Sequence, residues 1–115
     1  MASKQFTKLS GYKFMWVMVL FDLPTATKKE RKSYTKFRSF LLDNAFEMAQ
    51  YSVYVRHTNG KEAIQAIIRK VEAAMPPEGK VDILQFTDKQ YENIVCLRGG
   101  RRHDSLKNPE QFALF

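Results

Sequence analysis

Cysteine occurs once in this sequence, at Cys96, and histidine twice, at His57 and His103. A single thiol excludes a disulfide framework and a cysteine-based zinc site. Neither histidine has a ligand-type residue three or four positions away, so neither begins a metal-binding pair. No apolar run approaches the ~20 residues that cross a bilayer, and no stretch has the pattern of a signal peptide. A cytoplasmic protein without membrane contact is expected. The 5 glycines build no phosphate loop of the P-loop or dinucleotide type, and Gly99-Gly100 reads as a hinge. No Ser-His-Asp arrangement can be assembled. Acids are also short: 12 Asp and Glu stand against 19 Lys and Arg, a formal net charge of +7. Such a surplus on a small chain points to a polyanionic partner, nucleic acid before membrane.

What is present begins with residues 14–21, Phe-Met-Trp-Val-Met-Val-Leu-Phe, an unbroken apolar run closed by Asp22-Leu23-Pro24. Its β-branched and aromatic content favours a strand, and proline cannot continue the ladder. Strand side chains alternate between two faces, so a run apolar at every position implies that both faces are covered. Asp22 then sits at the mouth of a buried central strand.

Thr27 and Glu30 have the spacing of a capping box and open a helix over roughly 28–44. At 100° per residue Tyr34, Phe37, Phe40, Leu41 and Ala45 share one arc. Lys28, Lys29, Lys32 and Lys36 lie on the opposite arc, the position of an ordinary solvated face or of a phosphate-binding one. Arg31 and Arg38 flank the apolar stripe, where a guanidinium is held for a phosphate fork or for an internal salt bridge. Residues 46–57 read as strand, with Gln50 and Ser52 marking a bulge or bend that makes two short strands of one. A second helix near 61–75 carries Ile64, Ile67, Ile68, Val71 and Met75 as its core stripe. Pro76-Pro77-Glu78-Gly79 ends it. Residues 80–87 form a strand, 88–90 a hairpin connection, and 91–97 its second arm.

The order strand, helix, bent strand, helix, strand, strand predicts an α+β sandwich of the ferredoxin-like kind, with both helices on one face of an antiparallel-type sheet. Two helices cover one face of four strands and no more. The other face of the 14–21 strand therefore calls for a second copy of the chain, and a homodimer through the open sheet face is expected. Residues 1–13 read as a flexible basic leader, 14–98 as the ferredoxin-like domain, and 99–115 as a C-terminal tail. In that tail Phe112-Ala113-Leu114-Phe115 is expected to dock as a strand on a sheet edge of a partner.

Asp22 is the candidate catalytic and metal-binding residue, because strand ends favour active-site carboxylates. Mg²⁺ prefers carboxylates plus waters and substrate phosphate, and two Asp22 side chains facing each other across a dimer axis would supply the pair. Lys28, Arg31, Lys32, Lys36 and Arg38, with Arg101 and Arg102, are the candidate nucleic-acid contacts.

The apolar strand ending in Asp22, the helix with Lys28, Arg31, Tyr34, Phe37-Arg38 and Leu41, and the segment Gln50-Tyr51-Ser52-Val53-Tyr54-Val55 together resemble the CRISPR-associated protein 2 family, in its type II-like form. The resemblance covers residues 12–98. It implies a ferredoxin-like homodimer, a Mg²⁺-dependent endonuclease acting on RNA or DNA, and a nucleic-acid-binding core for spacer acquisition in complex with the CRISPR adaptation integrase. Spacer-precursor DNA would be the main nucleic-acid partner. The family's metal-site aspartate maps onto Asp22 and its helix arginine onto Arg31, while Gln50, Ser52, Val53 and Tyr54 carry its Gln-x-Ser-Val-aromatic motif. Many relatives have tyrosine before the aspartate; this chain has Phe21, whose ring cannot hydrogen-bond a phosphate. The alternative is a ferredoxin-like RNA-binding module with no catalytic role, stacking bases on sheet-face aromatics such as Trp16 or Tyr54.

Overall fold

A computed structural model describes residues 14–103. The expected leader (1–13) and the docking segment (112–115) lie outside the described residues. The apolar run becomes strand β1 (Met15–Asp22). After the turn at Pro24, Thr27 caps helix α1 (Lys28–Asp43), accepting from the Glu30 N–H at 3.1 Å, while the Glu30 carboxylate accepts from the Thr27 N–H at 2.8 Å. The expected capping box is present. At the far end the N–H of Phe46 reaches the carbonyl of Leu41 at 3.0 Å and that of Ala45 reaches Leu42 at 3.3 Å. This is a Schellman closure, and it holds Ala45 in the left-handed region at φ 68°.

β2 (Glu47–Gln50) and β3 (Val53–Thr58) form a hairpin with a register shift between Met48 and Gln50, the interruption expected there. Helix α2 (Lys61–Ala74) buries Ile64, Ile67 and Val71, and β4 (Lys80–Thr87) follows it. β1 pairs antiparallel with both β3 and β4, giving the sheet order β2-β3-β1-β4. The fold is α+β, with a four-stranded antiparallel sheet and three helices, compatible with a ferredoxin-like arrangement.

The two faces of β1 do separate work. Met15, Val17, Val19 and Phe21 pack with Phe37 and Leu41 of α1 and Ile64, Ile67 and Val71 of α2. Both long helices therefore lie on one face, as the right-handed crossover requires. Arg56 of β3 supports this layer from its rim: its guanidinium donates to the Asn44 carbonyl at 2.7 Å and lies 5.9 Å from the Phe46 ring centre. Burial lowers its pKa from the ordinary arginine value.

The opposite face corrects two expectations. Residues 88–90 are not a hairpin connection, nor 91–97 the second arm of a hairpin with β4. Thr87 and Gln90 form a second capping box, and the chain turns into the short helix α3 (Asp88–Glu92). Beyond it β5 (Cys96–Arg98) pairs with β6 (Arg101–His103). Gly99-Gly100, read as a hinge, is the two-residue turn of that hairpin; both have positive φ, 59° and 79°, as a primed turn of the first type demands.

α3 also supplies a cover that a second copy was expected to provide. Tyr91 stacks on Trp16 with ring centres 4.1 Å apart, and the indole N–H donates to Asp88 Oδ1 at 2.9 Å. Trp16, Met18, Val55, Tyr91 and Cys96 form a second buried cluster. The chain thus covers the Trp16 end of this face by itself. The other end is less protected: Leu20 and Val53 are half-buried, and Leu84 is 39% exposed.

Burial, with smaller contributions from Cys96 and Glu47, pushes the Tyr91 hydroxyl well above the ordinary tyrosine pKa. A raised folded-state pKa gives stability that is complete below the unfolded pKa of about 10 and is lost as pH rises beyond it. Denaturant unfolding between pH 8 and 11 should therefore show a fall in stability above about pH 10 that Tyr91→Phe reduces. An identical pH profile in the variant would refute this.

Candidate active site at the end of the central strand

Antiparallel register decides what surrounds Asp22. Asp22 stands opposite Lys80, and Leu20 opposite Asp82 and Val53. Positions two apart on a strand share a face, so Asp22, Leu20, Lys80 and Asp82 all lie on the face away from α1 and α2. Asp22 and Asp82 are diagonal neighbours, a relation that sets side chains about 7–8 Å apart. Both line a recess of about 280 Å³ with Leu20, Tyr51, Ser52, Val53 and Lys80. Asp22, Lys80 and Asp82 are all exposed. Sequence reasoning missed Asp82 and looked to the Asp22 of a second copy for the other carboxylate. Alternation along 80–87 groups Lys80, Asp82, Leu84 and Phe86; only the register with β1 brings that group to Asp22.

Close backbone packing fixes the Asp22 end of the strand. Gly79 has φ +103°, and a Cβ there would meet Leu23 Cδ2 at 2.6 Å and the Asp22 carbonyl oxygen at 2.8 Å. The loop before β4 can therefore lie against Asp22-Leu23 only with glycine at that position. On the other side the N–H of Phe21 donates to the Ser52 carbonyl at 3.1 Å. Ser52 has φ 62°, and its hydroxyl lies 3.0 Å from that of Tyr34. Tyr51, beside it in the β2–β3 turn, stacks on Tyr34 with ring centres 6.0 Å apart. The Tyr51 hydroxyl is raised above its ordinary pKa, first by hydrogen bonding with Tyr34 and then by that neighbour's charge.

Phe21 points the other way. Only 6% exposed, it packs among Tyr34, Phe37 and Tyr54 in the helix-covered core. A side chain at this position faces away from the Asp22 recess. Its phenyl ring is accounted for by packing.

The basic candidates divide into two groups. Lys28, Lys32 and Lys36 are exposed along α1, and Arg38 is half-buried beside its stripe. Arg31 is partly engaged within the chain: its Nη1 donates to the carbonyls of Thr25 and Ala26 at 3.2 and 3.0 Å. It thereby braces the loop between Asp22 and α1, a hydrogen-bonded role in place of the internal salt bridge weighed for it. Arg101 and Arg102 are exposed on β6. That hairpin enters the second cluster through Cys96, across the sheet from α1. The described residues therefore form no single basic track from both groups. Among them no three His, Cys, Asp or Glu side chains are grouped to hold a metal ion, and the described carboxylates that line this recess are those of Asp22 and Asp82.

A two-layer α+β domain with a paired-carboxylate recess at the mouth of its central strand and lysines along one helix is the class of protein these observations define. The family described as CRISPR associated protein Cas2 matches residues 15–94. A relative from Paracidovorax avenae, named CRISPR-associated endoribonuclease Cas2, is 50% identical over 107 residues, covering 93% of this chain and 99% of its own length. Proteins of the same name from Flavobacterium psychrophilum and Parvibaculum lavamentivorans are 36% and 42% identical, covering 100% and 88% of this chain and all of their own lengths. The chain belongs to the Cas2 family, whose named relatives are endonucleases acting on RNA.

Two outcomes are expected. Gly79→Ala should cost about 2 kcal/mol or more, from the forced positive φ and the overpacking against Leu23, as read by urea denaturation; an unchanged midpoint would contradict the packing account. Joint neutralisation of Lys28, Lys32 and Lys36 should weaken binding to unrelated DNA duplexes equally and flatten the salt slope by ~0.9 for each phosphate no longer neutralised. An unaltered slope would leave those lysines as solvated surface.

Proposed function

We propose that this chain is a nuclease of the Cas2 type whose cutting site is built on Asp22, and that it also serves as the basic, dimeric core of a spacer-acquisition complex with the adaptation integrase. One observation carries the reading: Asp22 is exposed at the mouth of the buried central strand, with Asp82 on the same face. Hard oxygen donors of this kind suit Mg²⁺. When bound, Mg²⁺ would supply Lewis acidity toward a phosphodiester oxygen. The chain's own contribution is positional. Gly79 and the Ser52 carbonyl hold the strand end still, Lys80 tempers the repulsion between the two acids, and Lys28 lies at the α1 end nearest the site.

Dimerisation through the less protected end of the second face would complete the site. Leu20, Val53 and Leu84 make the apolar patch there, and it adjoins Asp22. Two copies joined on it would bring two Asp22 side chains toward one another and bury the patch. Lys28, Lys32 and Lys36 remain outward for spacer-precursor DNA or RNA, and such backbone contacts carry no sequence information. The alternative of an RNA-binding module that stacks bases on Trp16 or Tyr54 is disfavoured, because these residues are 8% and 1% exposed and Tyr54 faces the helices.

Asp22→Asn separates cutting from assembly. Hydrolysis of RNA should fall to background, while the fold, dimerisation and duplex binding stay intact, because the side chain is exposed. Spacer integration reconstituted with the integrase, a repeat-containing target and short duplex donors should persist. Loss of integration with the complex still assembled would overturn the division of roles, and full hydrolysis by the variant would remove Asp22 from the chemistry.

A further inference from the structure

An aromatic side chain left almost wholly in water needs a reason, and Tyr51 is 76% exposed, more than any other exposed large hydrophobic residue described. It occupies the β2–β3 turn and lines the same recess as Asp22. Its setting is not that of a loose loop residue. One side of its ring is backed by Tyr34, with centres 6.0 Å apart and planes 21° from parallel. Tyr34 is itself fixed by the 3.0 Å contact of its hydroxyl with Ser52 Oγ and by Phe21, 5.5 Å away. Phe21 in turn meets Phe37 edge-on at 5.1 Å inside the core. A continuous file of rings therefore runs from the buried layer to the surface and ends on Tyr51, beside the carboxylates.

We propose that Tyr51 is a stacking platform that seats an unpaired base of single-stranded RNA beside Asp22. This rests on the reading of Asp22 as the cutting carboxylate, and what it adds is a residue that positions the substrate there. The chemistry is general: every base has a π-face, and stacking on an aromatic side chain is tolerant of sequence. A paired base already has both faces occupied by its neighbours, so the platform discriminates against duplex. The backing by Tyr34 matters because a ring already held in place loses little freedom when a base lands on it. With the base seated, the adjoining phosphate falls over the recess shared by Asp22 and Asp82. Tyr51 acts on the substrate's position and on no proton of the reaction.

The test uses the full chain and a short single-stranded RNA carrying one 2-aminopurine, whose fluorescence is quenched when it stacks. The wild-type protein should quench it. Tyr51→Ala should abolish the quenching and bind the strand about tenfold more weakly. Tyr51→Phe should restore both, since stacking needs the ring and not the hydroxyl, and an RNA duplex of the same sequence should bind all three proteins equally. In hydrolysis the alanine variant should raise KM and leave kcat unchanged. Quenching and affinity unchanged in Tyr51→Ala, or an equal loss of duplex binding, would overturn the proposal. Absence of hydrolysis by the wild type would sink the nuclease reading alone, because the fluorescence measurement decides the stacking without turnover.

Discussion

Burial of β1 on both faces is the constraint from which the other elements take their places. Val17 and Val19 lie fully buried against the helices, while Trp16 and Met18 turn to the opposite side. A strand with two apolar faces is stable only between two covers, each worth roughly 25 cal/mol per Å² of apolar surface removed from water. α1 and α2 form the first cover. The second is shorter: α3 lays Tyr91 on Trp16, then the chain leaves the sheet for the β5–β6 hairpin. The site lies where that second cover stops. Asp22 is the first residue of β1 to escape both layers, and the apolar surface next to it is only partly covered.

The recess depends on backbone geometry more than on ion pairing. Gly79 admits the β4 entry loop against the Asp22 carbonyl, and Ser52, held at positive φ, receives the Phe21 N–H from the other side. Each conformation is disfavoured for an ordinary residue, and glycine removes the penalty at the first. Two turns so fixed set the exit direction of β1 and bring Asp82 and Tyr51 alongside Asp22. Arg31 extends the same bracing to the loop that follows, through the carbonyls of Thr25 and Ala26. A guanidinium engaged in this way still has N–H groups for a phosphate.

Family membership and local geometry speak to different questions here. The matched relatives are named for cutting RNA. Phe21 occupies the position before the aspartate and is packed among Tyr34, Phe37 and Tyr54. Whatever hydroxyl a tyrosine would bring there enters the helix-covered core, so the groups available at the mouth of the strand are those of Asp22, Asp82, Lys80 and the β2–β3 turn. That turn carries the Gln-x-Ser-Val-aromatic motif. Ser52 braces the strand end, Tyr54 fills the core, and the unspecified position is Tyr51, the side chain most open to substrate.

Local patterns were enough to read most of the fold. An apolar run closed by Asp-Leu-Pro gave β1, a capping box gave the start of α1, and the isoleucine spacing gave α2, because these signals act within one turn or one strand. The same logic was available at Thr87 and Gln90, yet the apolar content of 91–97 suggested a strand; Tyr91 is apolar there because it packs on Trp16, not because it lies in a sheet. Asp22 was legible as a strand-end acid from the sequence alone. Its neighbours Asp82 and Lys80 were not, since they lie about sixty positions away and reach it only through the pairing of β1 with β4. Composition determined that the chain is basic and has enough apolar residues for one core. Tertiary structure decided which acids share a face, which aromatic is left in water and which arginine is engaged, because strand register and chain crossing are set by packing between segments that no local pattern links.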